Sequence, residues 1–111
     1  MNCIHLIQKD TDPKLLPKPE KEGSKIWTSG YWSLAAKTAE GLIGGMIYFH
    51  KAQVKPSFLG GEIVGYRVEE CGEWKGRVIF RFREEPSARG VKTGKEGWAM
   101  VMKLCGECLS P

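Results

Sequence analysis

The residue types that commonly do chemistry are sparse in this chain of 111 residues. Its only histidines are His5 and His50, and its cysteines are Cys3, Cys71, Cys105 and Cys108. Cys105-Gly-Glu-Cys108 has the Cys-x-x-Cys spacing that can furnish half of a zinc site. Cys3 and His5 are two residues apart, so on a strand both point to the same face. If the first and last strands were neighbours, Cys3, His5, Cys105 and Cys108 could make a tetrahedral set of three thiolates and one imidazole. The first half of that set lacks knuckle spacing, so buried or terminal thiols are the plainer reading and no metal or other cofactor is expected. Nor is an enzyme expected. The chain has no Gly-x-Ser-x-Gly, no phosphate-binding Gly-x-x-x-x-Gly-Lys-Ser/Thr and no His-Glu-x-x-His. A cysteine nucleophile served by His50 is conceivable, but no spacing singles out its partner.

Aromatic and basic residues form a richer pattern. Trp27, Tyr31 and Trp32 lie within six residues, and Trp98 follows the Gly-rich basic segment 85–97. Tryptophan in a small domain is most often core. The alternative is a stacking pocket, in which bases lie on aromatic faces while Lys and Arg hold phosphates. The stretch IYFHKAQVKPSFLGGEIVGY (47–66) fits the second reading. Lys51 and Lys55 supply charge, His50 and Ser57 supply hydrogen bonds, and Gly60 and Gly61 let a ligand approach the backbone. A β-bulge at the two glycines is the plainer account of them. Arg89, Lys92 and Lys95 would add phosphate contacts.

Net charge is +4 and the isoelectric point is about 8.9, with a local positive excess over residues 75–95. Such an excess usually marks a solvated face, and an anionic partner is the principal alternative. The apolar share of 41% suits a single folded domain spanning 1–111. No run of about 18 apolar residues is present, so no membrane span is expected. The N-terminus lacks the features of a secretory signal, so a cytoplasmic location with reduced cysteines is expected.

The elements that must position these residues are mostly strands. Residues 2–8 read as a strand and 9–25, with Pro13, Pro17 and Pro19, as an irregular connector. The aromatic segment 25–34 is broken at Ser29-Gly30. Ser33 is placed to cap a short helix that ends at Gly41 and Gly44-Gly45. MIYFH (46–50) is a strand. EIVGYRVEE (62–70) and RVIFRFRE (77–84) alternate as the arms of an antiparallel hairpin, with Val78, Phe80 and Phe82 on one face and Arg77, Arg81 and Arg83 on the other. WAMVMKLC (98–105) is a last strand. The predicted class is α+β but mainly β: a small curved antiparallel sheet or partly open barrel with one short helix.

SLAAKTAEGLIGGMIYFHKA followed by SFLGGEIVGYRV resembles the PUA-like superfamily, which includes the EVE, ASCH and YTH domains. A short helix leads to a Gly-preceded strand, a polar loop and a Gly-containing strand. The resemblance covers roughly residues 26–84. It implies a small curved barrel that binds RNA or a flipped, modified base in an aromatic pocket, with Trp27 and Trp32 where such domains often place pocket residues. The expected function is a non-enzymatic nucleic-acid-binding module for RNA or modified DNA. The alternative is an adaptor or phage-type inhibitor that recognises an acidic protein, since protein hot spots are also rich in Trp, Tyr and Arg.

Overall fold

Short alternating segments separated by glycine and proline give strands that must find distant partners. The computed structural model describes residues 2–8, 17–93, 98–99 and 102–105. Among the described residues there are eight strands: β1 (Cys3–Ile7), β2 (Lys18–Pro19), β3 (Ile26–Trp32), β4 (Met46–His50), β5 (Ser57–Val68), β6 (Val78–Glu84), β7 (Trp98–Ala99) and β8 (Met102–Cys105). Among the same residues one helix, α1 (Ala36–Gly41), and a 3-10 turn at Pro86–Ala88 accompany them. The sheet order is β2-β3-β6-β5-β4-β1-β8-β7, an open series that does not close into a barrel. The mainly-β class with one short helix is therefore what forms.

The sheet is mixed rather than wholly antiparallel. β1 and β4 run parallel, with Cys3 opposite Met46 and Ile7 opposite His50, while β1 and β8 run antiparallel. β1 thus lies between two strands and is buried along most of its length. This burial explains why its sequence is a short apolar run instead of an alternation.

One face of the sheet makes the core. Ile4 and Leu6 of β1, Ile47 and Phe49 of β4, Leu59 and Ile63 of β5, and Val78, Phe80 and Phe82 of β6 are joined there by Trp32, Ala39 and Leu42. The Phe49 and Phe82 rings meet at 5.3 Å. Each such phenylalanine contributes roughly 2–3 kcal/mol by leaving water. A flat eight-stranded sheet would be a thin slab, yet the extents are 33 × 30 × 26 Å. The sheet therefore coils around its own inner face, and α1 covers only part of it.

Four boundaries differ from the sequence-based expectation. The segment around Ser29-Gly30 is strand β3, its break appearing as a register shift between Ser29 and Trp32 against β6. β5 begins at Ser57, so the basic connector is only residues 51–56. The final strand is two, β7 and β8, paired antiparallel. The helix starts from Ala35 with no side-chain cap, so Ser33 does not serve as its N-cap. Past its end Gly44 has φ +88, a conformation that glycine adopts without strain.

Candidate functional site

Strand directions sort the loops into two groups. The C-terminal ends of β1, β4 and β6 and the N-terminal ends of β3 and β5 share one end of the sheet. Gln8, Trp27, His50 and Ser57 stand at that end. Its connectors at 51–56 and 85–93 carry Lys51, Lys55, Arg89 and Lys92 against Glu85. At the opposite end, 33–45 and 69–77 carry Glu40, Glu69, Glu70 and Glu73 against Lys37, Lys75 and Arg77. Positive charge is thus concentrated at the first end.

Two polar atoms there are buried without a hydrogen-bond partner among the described residues: Trp27 Nε1, a donor, and Gln8 Oε1, an acceptor. Trp27 lies opposite Phe82, packs against the core and keeps its ring 6.5 Å from that of Phe82. Gln8 is 5% exposed, and its backbone N–H donates to the His50 carbonyl at 2.9 Å. Buried polar atoms are usually satisfied, so an unpaired donor and an unpaired acceptor at one end of a sheet ask for a ligand or water.

Ser57 fastens the 88–91 segment to this end. Its hydroxyl donates to the Ala88 carbonyl at 2.5 Å and accepts from the Val91 N–H at 2.9 Å. Its backbone N–H and C=O bond to Val91 and Gly90. The one hydroxyl proton of Ser57 is thus committed to Ala88, and the residue positions the loop.

The other expected site residues fall into three groups. Trp32 is 9% exposed and donates through Nε1 to Ser29 Oγ at 2.9 Å, so it is a core residue with no free face for stacking. Gly60 and Gly61 lie inside β5 and do not line an open wall. A Cβ on Gly60 would overlap the Ile47 carbonyl oxygen, and one on Gly61 the Arg83 carbonyl oxygen. Tyr31 stacks on Trp74 at 5.5 Å and 9°, with the Arg77 guanidinium 5.5 Å from the Trp74 ring, at the opposite end. At the basic end, Lys51 lies over Phe58 at 5.0 Å and Arg89 is paired with Glu84 at 2.5 Å. Lys55 and Lys92 are exposed there. Lys95 and Cys108 lie outside the described residues.

His50 is fully buried, on the face of the sheet opposite the core, where β1 and β4 also present His5 and Tyr48. His5 Nδ1 and His50 Nε2 are 2.8 Å apart, and His50 Nδ1 donates to the Lys55 carbonyl at 2.8 Å. A carbonyl only accepts, so His50 carries its proton on Nδ1. With both rings uncharged, His5 Nδ1–H donates to His50 Nε2, and His5 Nε2 keeps a bare lone pair. That nitrogen is 3.8 Å from Cys3 Sγ. His5 stacks on Tyr48 at 4.7 Å, and the Trp98 ring meets both histidines edge-on. Burial first, then the positive charges of His50 and Lys103, push the His5 pKa down to about 4. Trp98 thus walls the histidine pair, and its buried Nε1 also lacks a partner among the described residues.

Cys3 is disulfide-bonded, which corrects the expectation of reduced cysteines, and Cys71 is a free, exposed thiol. Nothing local in the sequence signals this bond; in the β1–β8 register the backbone of Cys105 lies across from Cys3. Among the described residues no three metal-ligating side chains cluster, and no helix is long and apolar enough to cross a membrane. An open depression of about 330 Å³ is lined by Gly44, Met46, Glu62, Glu85 and Ser87, whose two carboxylates disfavour a phosphate. Comparison of the chain with protein-family models, curated proteins and solved structures returns no match.

Proposed function

We propose that this chain is a non-enzymatic nucleic-acid-binding module that takes a base edge at the basic end of its sheet. The observation carrying this reading is that two buried atoms there, Trp27 Nε1 and Gln8 Oε1, have no partner among the described residues. A nucleobase offers both an acceptor and a donor along one edge, and its planar face suits a neighbouring aromatic ring. Lys51, Lys55, Arg89 and Lys92 then serve the phosphates. The Arg89–Glu84 pair is exposed, and exposed ion pairs exchange partners at little cost. Relative to the sequence-based site, Trp32 moves to the core and Gln8 enters.

The test is fluorescence anisotropy with labelled single-stranded RNA and DNA, unmodified and base-modified, from low to physiological salt. Binding that weakens steeply with salt and is lost in Gln8→Leu with the fold retained supports the reading. Absence of binding to every probe at low salt sinks it. The adaptor reading rests on a different place, the Tyr31–Trp74–Arg77 stack at the opposite end. It predicts nuclease-resistant capture of a protein that Trp74→Ala abolishes.

A further inference from the structure

We propose that His50, braced by His5, is the positioning residue of the basic loop 51–56 and joins that loop to Gln8, so that phosphate and base contacts are held in one geometry. The inference rests on the nucleic-acid reading and deepens it by giving the buried histidine pair a task at that site. Its first support is the direction of the hydrogen bonds. His5 Nδ1–H donates to His50 Nε2, and His50 Nδ1–H donates to the Lys55 carbonyl, each at 2.8 Å. Both nitrogens of the His50 ring are thereby engaged and the residue is fully buried, so it acts on a ligand only through the loop.

The second support is where the chain needs a brace. The β4–β5 register shifts between Phe49 and His50, so the strand ladder does not by itself fix how the loop leaves the sheet. Within the loop the Lys55 N–H donates to the Ala52 carbonyl at 3.1 Å, which closes one turn. The imidazole ties the far side of that turn back to the end of β4. The third support is the His50 backbone. Its carbonyl accepts from the Gln8 N–H at 2.9 Å, so one residue holds both Gln8 and the loop that carries Lys51 and Lys55. A buried imidazole is costlier than an apolar side chain unless its hydrogen bonds are made, and here both ring bonds are.

The experiment compares two amides at position 50. Asparagine places an N–H where His50 has Nδ1, so it still donates to the Lys55 carbonyl. Glutamine reaches instead to the place of Nε2 and leaves that carbonyl without its donor. The full chain is used as wild type, His50→Asn and His50→Gln, each checked for fold by circular dichroism. Anisotropy with labelled single-stranded RNA and DNA is measured across salt, and amide exchange at Lys55 is followed by NMR.

His50→Gln should bind about fivefold or more weakly, the scale of one lost hydrogen bond. Its slope of log affinity against log salt should be shallower by about 0.7–0.9, one phosphate contact, and its Lys55 amide should exchange faster. His50→Asn should stay within about threefold of wild type and keep the slope, although both variants lower the melting temperature. Oligonucleotide binding by His50→Gln with wild-type affinity and slope overturns the inference and leaves the nucleic-acid reading standing. Equal losses in the two variants show a merely structural histidine and also overturn it. Absence of binding by wild type sinks the reading and this inference together. If neither variant folds, nitrogen NMR of the wild-type imidazoles decides: His50 bare at Nδ1 and protonated at Nε2 overturns the proposal.

Discussion

Trp27→Phe keeps an aromatic ring at the core margin and deletes only one N–H. A buried donor with no partner among the described residues costs desolvation in the folded state, so the melting temperature should stay at or slightly above wild type. If the donor meets a ligand, affinity for the oligonucleotide should fall about tenfold, the scale of one buried hydrogen bond. Trp32→Phe is the contrast. It strips Ser29 Oγ of its donor inside the core and should lower stability instead.

His5 makes a separate prediction at this scale. Its pKa is depressed to about 4 in the folded chain, against about 6.5 when unfolded. Between those values the unfolded state binds more protons, so stability is full above pH 6.5 and falls as pH drops toward 4. The slope should reach about 1.4 kcal/mol per pH unit and level off below pH 4. Urea unfolding from pH 4 to 8 measures this, and His5→Gln should remove that component. The histidine pair was invisible in the sequence because the parallel β1–β4 register creates it. The usable signal was that both histidines sit within short apolar strands, where an imidazole needs a partner.

The elements differed in how legible they were. β6 could be read directly, because Val78, Phe80 and Phe82 alternate with Arg81 and Arg83 and period-two patterning reports a half-buried strand. β3 could not, because Ser29-Gly30 has the composition of a turn while pairing with β6 keeps the chain extended. Ser57 to Gly61 has the composition of a loop for a similar reason. Consecutive glycines ordinarily mark turns, yet here the close approach of Ile47 and Arg83 carbonyls requires them. Gly61→Ala should therefore cost about 2–3 kcal/mol through overpacking against backbone. Gly65→Ala, in the same strand with open space around it, should change stability by under about 1 kcal/mol. Denaturant midpoints of the two variants decide whether the glycines serve the sheet.

At the scale of the whole molecule, net charge mattered less than its placement. The arginines of β6 that suggested a basic patch are paired, Arg81 with Glu20 at 2.8 Å and Arg83 with Glu62 at 3.3 Å. Hydrogen bonding from Arg81 holds the Glu20 carboxyl below its usual range. The end bearing Lys51, Lys55 and Lys92 is where added salt should act. Changing Lys55 and Lys92 to Gln should reduce the slope of log affinity against log salt by about 0.7–0.9 for each phosphate contact removed. Lys37→Gln, at the opposite end, should leave the slope unaltered.

The placement of β1 also bears on how the chain is made. β1 pairs with β4 on one side and with β8 on the other, so Cys3 waits for Met46 and then for Cys105. Contacts so distant in sequence slow folding, because a long loop must close before any of them forms. Until β8 emerges, β1 is an apolar edge with unpaired amides, open to pairing between chains. Truncation before residue 102 should leave that edge exposed and send the product into aggregates, detectable by sedimentation. β8, made about a hundred residues after β1, is the strand that shields it.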